Sequence, residues 1–119
     1  MPYKRGDVVL VLFPDSNLRT AKRRPALVIQ ADHLNTGLEQ TIVAMITSNM
    51  KRAVHPSRVT LLLNSSEGRQ TRILMDSVVM TDNLATVREN EIDRALGALS
   101  DMAGINAALR HTLSLSDDK

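Results

Sequence analysis

The stretch Lys22-Arg23-Arg24-Pro25-Ala26-Leu27-Val28-Ile29 passes from a cationic loop into an unbroken apolar run. Proline suits the first position of a strand, and branched residues follow it, so the segment predicts a strand over Pro25 to Ala31 with a guanidinium at its mouth. Four more segments share this composition and have turn-forming borders: Asp7 to Phe13, Thr41 to Thr47, Arg58 to Leu63 and Ile73 to Met80. Helical spacing fits none of them. Gly6 precedes the first, and Pro14, Asp15, Ser16 and Asn17 end it. Most of these runs are apolar on consecutive residues, which predicts burial on both faces, in a small barrel or beneath a partner subunit.

Toward the C-terminus the spacing becomes three and four, through Met102, Ile105, Ala108, Leu109 and Leu113. This predicts a helix from about Asp101 to Thr112 whose apolar stripe covers the barrel, with Ser100 and Asp101 supplying an N-cap and a negative first turn. Gly104 inside it costs up to about 1 kcal/mol relative to Ala. A helical turn near Arg88 to Arg94 and an extended stretch near Ala95 to Leu99 complete the reading.

With 119 residues, 43% hydrophobic, the chain has apolar material for one core and too little length for two, so residues 1–119 read as a single domain. The absence of Cys excludes disulfide scaffolds, Cys zinc sites and thiolate catalysis, and suits a cytoplasmic redox setting. The longest apolar run, Val8 to Phe13, is six residues, against roughly 20 for a spanning helix, so no membrane association is expected. Only Tyr3 and Phe13 are aromatic, which leaves cations and hydrogen bonds to dominate any contact with nucleic acid.

Charge is distributed unevenly. Residues 1 to 60 hold nine Lys/Arg and four Asp/Glu, a balance of +5, while residues 61 to 119 hold six and nine, a balance of −3. The cations concentrate in Arg19, Lys22, Arg23 and Arg24, and again in Lys51, Arg52 and Arg58, each cluster flanking a strand. Two basic loops converge if those strands pair. His33, His55 and His111 lack metal-ligand spacing and read as surface histidines, the glycines form no phosphate loop, and there is no G-x-S-x-G elbow. No metal or other cofactor is expected.

Taken in order, Arg5-Gly6-Asp7-Val8-Val9, then Arg24-Pro25-Ala26-Leu27-Val28-Ile29, then Ile46-Thr47-Ser48 resemble the MazF/PemK family of toxin endoribonucleases. Asp76-Ser77-Val78-Val79, Asp82 to Val87 and Leu96-Gly97-Ala98-Leu99-Ser100 resemble that family's fifth strand, its following turn and the stretch before its last helix, so the likeness spans about residues 4 to 115. It implies a mostly-β fold, an SH3-like barrel with a C-terminal helix. It further implies a homodimer that cuts single-stranded RNA without metal and is held inactive by a cognate antitoxin.

The resemblance implies catalytic roles for Arg24, which precedes the proline, and Thr47, which ends the third strand. Metal-free cleavage uses the neighbouring 2′-OH as nucleophile, and an always-charged planar guanidinium suits the negative charge that grows on phosphorus. The proton acceptor is left open, because neither an Arg nor a free hydroxyl is a good base near neutral pH. Arg19, Lys22, Arg23, Lys51 and Arg52 are candidates for holding the RNA backbone, and Ser48 and Asn49 for reading base edges. Asp82 falls where some family members carry a reactive acid, yet those members also carry an Arg two positions earlier, where this chain has Met80. Asp82 therefore reads either as an accessory acid or as a turn residue. The alternative reading of the whole chain is a non-catalytic barrel that acts by binding protein, as in related gyrase inhibitors, or as an adaptor.

Overall fold

Six strands follow one another as β1 (Asp7–Pro14), β2 (Ala21–Val28), β3 (Gln40–Thr47), β4 (Arg58–Leu61), β5 (Ser77–Arg88) and β6 (Ile92–Ala98). A short helix α1 (Ser66–Thr71) links β4 to β5, and α2 (Ala103–Leu113) ends the fold. The structure is a computed structural model that describes residues 2–14, 17 and 19–116. The strands form one antiparallel sheet in the order β4-β5-β3-β2-β1-β6.

Adjacent residues on a strand serve two different cores, which explains the consecutive apolar runs. Val8, Leu27, Ala44, Ile46 and Val79 join Ile73, Leu99 and Ile105 on one face. Val9, Val11, Ala26, Val28, Val43, Val87 and Ile92 meet on the other. Leu61 of edge strand β4 and Leu99, just past edge strand β6, lie in the same cluster, so the sheet curls until its two ends share a core. The result is the mostly-β, barrel-like fold expected, with α2 laid over β4 and β5 through Ile105 and Ala108.

Several boundaries differ from expectation, each for a local reason. Strand β2 begins at Ala21, because Lys22, Arg23 and Arg24 pair with Phe13, Leu12 and Val11 in a hairpin with β1. The cations thus lie on a strand and not on a loop. Pro25 is tolerated there because pairing to β3 starts only at Ala26, leaving that part of β2 bonded to β1 alone. The strand stops at Val28, since the N–H groups of both Ile29 and Gln30 donate to the Ile42 carbonyl, at 3.0 and 3.3 Å, and the ladder slips. Of the residues expected to end β1, Asp15 and Ser16 lie outside the described residues.

Strand β4 ends at Leu61, two residues early, and β5 runs from Ser77 to Arg88 with no turn at Asp82 to Val87. Its pairing jumps from Ala44↔Leu84 to Met45↔Met80, so Thr81, Asp82 and Asn83 form a bulge. Turn chemistry there bends the strand without ending it. The bulge is anchored by Thr81, buried, whose hydroxyl donates to the Ser57 carbonyl at 2.6 Å and lies 2.7 Å from the Thr112 hydroxyl of α2. A 3-10 turn at Glu89–Glu91 replaces the helical turn expected over Arg88 to Arg94, and β6 starts at Ile92. In α2 the N-cap position is Met102, while Asp101 accepts the N–H of Ala103 at 3.0 Å.

Candidate active site

Pairing between β2 and β3 ends at Ala26↔Met45. Beyond that pair the strands part, and Arg24 and Thr47, each two positions past it, line a cleft of about 360 Å³. Lys22, Arg23, Arg24 and Pro25 line it from β2, Thr47 and Ser48 from the end of β3, and Arg72, Ile73, Leu74 and Met75 from the connection between α1 and β5. Leu10, Ile46 and Leu96 are also in its lining. Arg24 and Thr47 are both half-buried.

The end of β3 is fixed by local hydrogen bonds. The N–H of Asn49 donates to the Thr47 hydroxyl at 3.1 Å, so that oxygen is held in place with its own proton left to give. Asn49 in turn caps the 3-10 turn Met50–Arg52, its side-chain oxygen accepting from the N–H of Lys51 at 3.1 Å. The lining includes Lys22, Arg23, Arg24 and Arg72 and no carboxylate, an arrangement that draws anions. Arg23 reaches Asp93 only loosely, at 3.9 Å.

Of the residues singled out from sequence, Lys22, Arg23, Arg24, Thr47 and Ser48 therefore share one cleft. Arg19, Asn49, Lys51 and Arg52 are exposed but do not line it, and Asn49 is already committed as a cap. Asp82 lies outside it as well, on the bulge of β5. Its carboxylate accepts Nε and Nη2 of Arg58 at 3.3 and 2.7 Å, and Arg58 Nη1 donates to the Arg52 carbonyl at 3.2 Å. That guanidinium holds the Asp82 carboxyl below its ordinary range, so near neutral pH it is an anion with no proton to donate. Arg58 stands directly across from Met80 in the ladder.

Sequence reasoning placed Arg58 only in a basic cluster and missed Arg72, Leu74 and Met75. The first of these lies in a ladder whose register no local motif reveals, and the others follow a six-residue helix too short to show periodicity. Elsewhere, the His55 and His111 rings meet edge to face at 6.2 Å, and His55 Nδ1 accepts the N–H of Ser57 at 3.0 Å. Among the described residues no three His, Cys, Asp or Glu side chains gather as a metal site, and no helix is long and apolar enough to cross a membrane.

The family model for the PemK-like, MazF-like toxin of type II toxin-antitoxin systems matches residues 4–113. The chain belongs to the PemK/MazF toxin family. Among its relatives, Endoribonuclease MazF6 of Mycobacterium tuberculosis (strain H37Rv) is 36% identical over 107 residues, covering 87% of this chain and 90% of the relative. Endoribonuclease MazF of Staphylococcus saprophyticus is 31% identical over 115 residues, covering 94% and 92%. The fold of this PemK/MazF chain is similar to that of a mycobacterial endoribonuclease solved in complex with its cognate antitoxin, with a TM-score of 0.74 at 22% identity, covering 98% of this chain and 99% of that one.

Proposed function

We propose that this PemK/MazF toxin is a sequence-specific endoribonuclease that cuts single-stranded RNA at the cleft between β2 and β3, without a metal. The carrying observation is that Arg24 and Thr47 line one cation-rich cleft at the point where two strands part. The names of its relatives fit this reading. The 2′-hydroxyl gives its proton to water and attacks phosphorus as the bond to the 5′-oxygen breaks, and that oxygen takes a proton from water, leaving a 2′,3′-cyclic phosphate and a 5′-hydroxyl. Arg24 places a planar, always-charged fork on the non-bridging oxygens, where charge accumulates. Thr47, its oxygen steadied by Asn49, donates its hydroxyl proton in a hydrogen bond to the same phosphate. Neither group is a base near neutral pH, so their contribution is charge stabilisation and positioning.

In this reading Lys22 and Arg23 hold the RNA backbone on the β2 side, and Ser48 meets a base edge. Arg19, Lys51 and Arg52, outside the cleft, add long-range attraction for the strand. Asp82 orients Arg58 and the turn after β3 and is not a proton donor. The lining offers cations and hydroxyls, the reverse of the oxygen anions that a hard metal ion requires. In the cell we place the protein in the cytoplasm as a homodimer, held by a cognate antitoxin that is an acidic peptide covering the same cations.

Purified protein incubated with single-stranded RNA in EDTA tests the reading. Fragments carrying 2′,3′-cyclic phosphate ends support it. A requirement for added Mg²⁺, or gyrase inhibition with intact RNA, overturns it.

A further inference from the structure

The wall that the connection between α1 and β5 gives this cleft exposes two large apolar side chains, Leu74 at 89% and Met75 at 55%. Exposed apolar groups gathered at a cation-lined cleft mark a binding surface more often than chance does. We propose that the connection from Arg72 to Met75 seats one nucleotide beside the scissile phosphate, the faces of Leu74 and Met75 lying against its base and the Arg72 guanidinium meeting its phosphate. This rests on the reading of Arg24 and Thr47 given above.

The wall is built, not loose. Arg72 turns the chain as the C-cap of α1 with φ 60°, and Ile73, between the exposed residues and the helix, is buried in the core. The Asp76 carboxylate accepts the N–H of Leu63 at 2.8 Å, and the Ser77 hydroxyl donates to the Met75 carbonyl at 2.8 Å. Gly97 lets β6 lie directly against this corner: a Cβ there would come within 2.2 Å of the Gln70 carbonyl and 2.9 Å of Arg72 Cγ. Leu74 and Met75 are thus held outward by a fixed backbone, an arrangement suited to receiving a ligand without an ordering penalty.

The chemistry of the lining specifies the occupant. A lining that counts four cations and no Asp or Glu of its own suits an anion, and the apolar face beside them calls for a flat group that gains from leaving water. A nucleotide combines both. Tyr3 lines a separate cavity, so on this wall an aliphatic side chain and an adaptable thioether stand where many RNA-binding proteins put aromatic rings. A volume of about 360 Å³ lies at the small end of ligand clefts, which suits one nucleotide. Because Leu74 and Met75 carry no donor or acceptor toward a base edge, and the Ser77 hydroxyl is spent on Met75, the seat adds affinity without choosing the base.

The test compares full-length wild type with Leu74→Ser/Met75→Ser on a single-stranded phage RNA in EDTA, with cleavage sites mapped by primer extension. The seat predicts a KM raised about tenfold, kcat nearly unchanged and the same cleavage sites. Leu74→Met/Met75→Leu restores KM, and Arg72→Gln lowers the slope of log affinity against log salt by about 0.7. Unchanged KM in an active double variant overturns the seat alone, as does a changed site preference or a loss confined to kcat. A double variant that falls to monomer by sedimentation, or that loses only protein binding, assigns the wall to a protein contact and also overturns it. Intact RNA with the wild type removes the ribonuclease reading, and the seat with it.

Discussion

Arg58 on β4 and Asp82 on the β5 bulge meet as a bidentate pair, with Nε and Nη2 on the two carboxylate oxygens at 3.3 and 2.7 Å. Because Arg58 lies across the ladder from Met80, the guanidinium that position 80 lacks is supplied from the neighbouring strand. A third donation, from Nη1 to the Arg52 carbonyl at 3.2 Å, ties this pair to the turn that follows Thr47.

The pair sets a pH signature. The Arg58 hydrogen bond lowers the Asp82 pKa, so its stabilising ionised form is fully present above the ordinary value of about 3.9 and is lost as the pH falls below about 4, through the folded-state pKa. Carbon NMR of the Asp82 carboxyl is expected to show titration below the ordinary Asp value, moving upward in Arg58→Gln. A titration at or above the ordinary value in wild type would mean the pair does not hold in solution.

Two glycines are expected to respond in opposite directions. Gly97→Ala drives a methyl into the Gln70 carbonyl and costs about 3 kcal/mol, the upper range for overpacking, since backbone must move. Gly104→Ala, whose Cβ meets only Val59 at 4.0 Å, stabilises α2 by about 0.4 to 1 kcal/mol. Urea denaturation of both variants measures this, and equal effects would contradict the packing described for β6 against α1.

The role proposed for Thr47 needs its hydroxyl and not its methyl group. Thr47→Val removes both the acceptor for Asn49 and the proton offered to phosphate, and lowers kcat about 10²-fold. Thr47→Ser keeps both and stays within about threefold. Single-turnover cleavage distinguishes them, and a valine variant as active as the serine variant would leave Thr47 a strand-end residue only.

The sequence made the strands legible where apolar runs met turn residues, and ordered motifs singled out Arg24 and Thr47 as candidates, which the fold brings to one cleft. What it concealed depends on register. The end of pairing at Ala26↔Met45 decides that Arg24 and Thr47 line one cleft, and the jump at Ala44/Met45 decides that Asp82 stands on a bulge. Neither leaves a local trace, because turn-forming Asp82-Asn83 looks the same in a loop and in a bulge. Lys51 and Arg52 illustrate the converse limit: charge along the chain names cations but not the side of the molecule they face. The Arg72–Met75 wall escaped notice because its position comes from Gly97, a contact between distant segments.

The central claim is that the Arg24 guanidinium stabilises the charge developing on the scissile phosphate. Single-turnover cleavage of RNA in EDTA by Arg24→Ala, alongside its thermal unfolding, tests this most directly. The account predicts a fall in rate of about 10³-fold with an unchanged thermal midpoint. A folded Arg24→Ala protein that cuts RNA at the wild-type rate would contradict it.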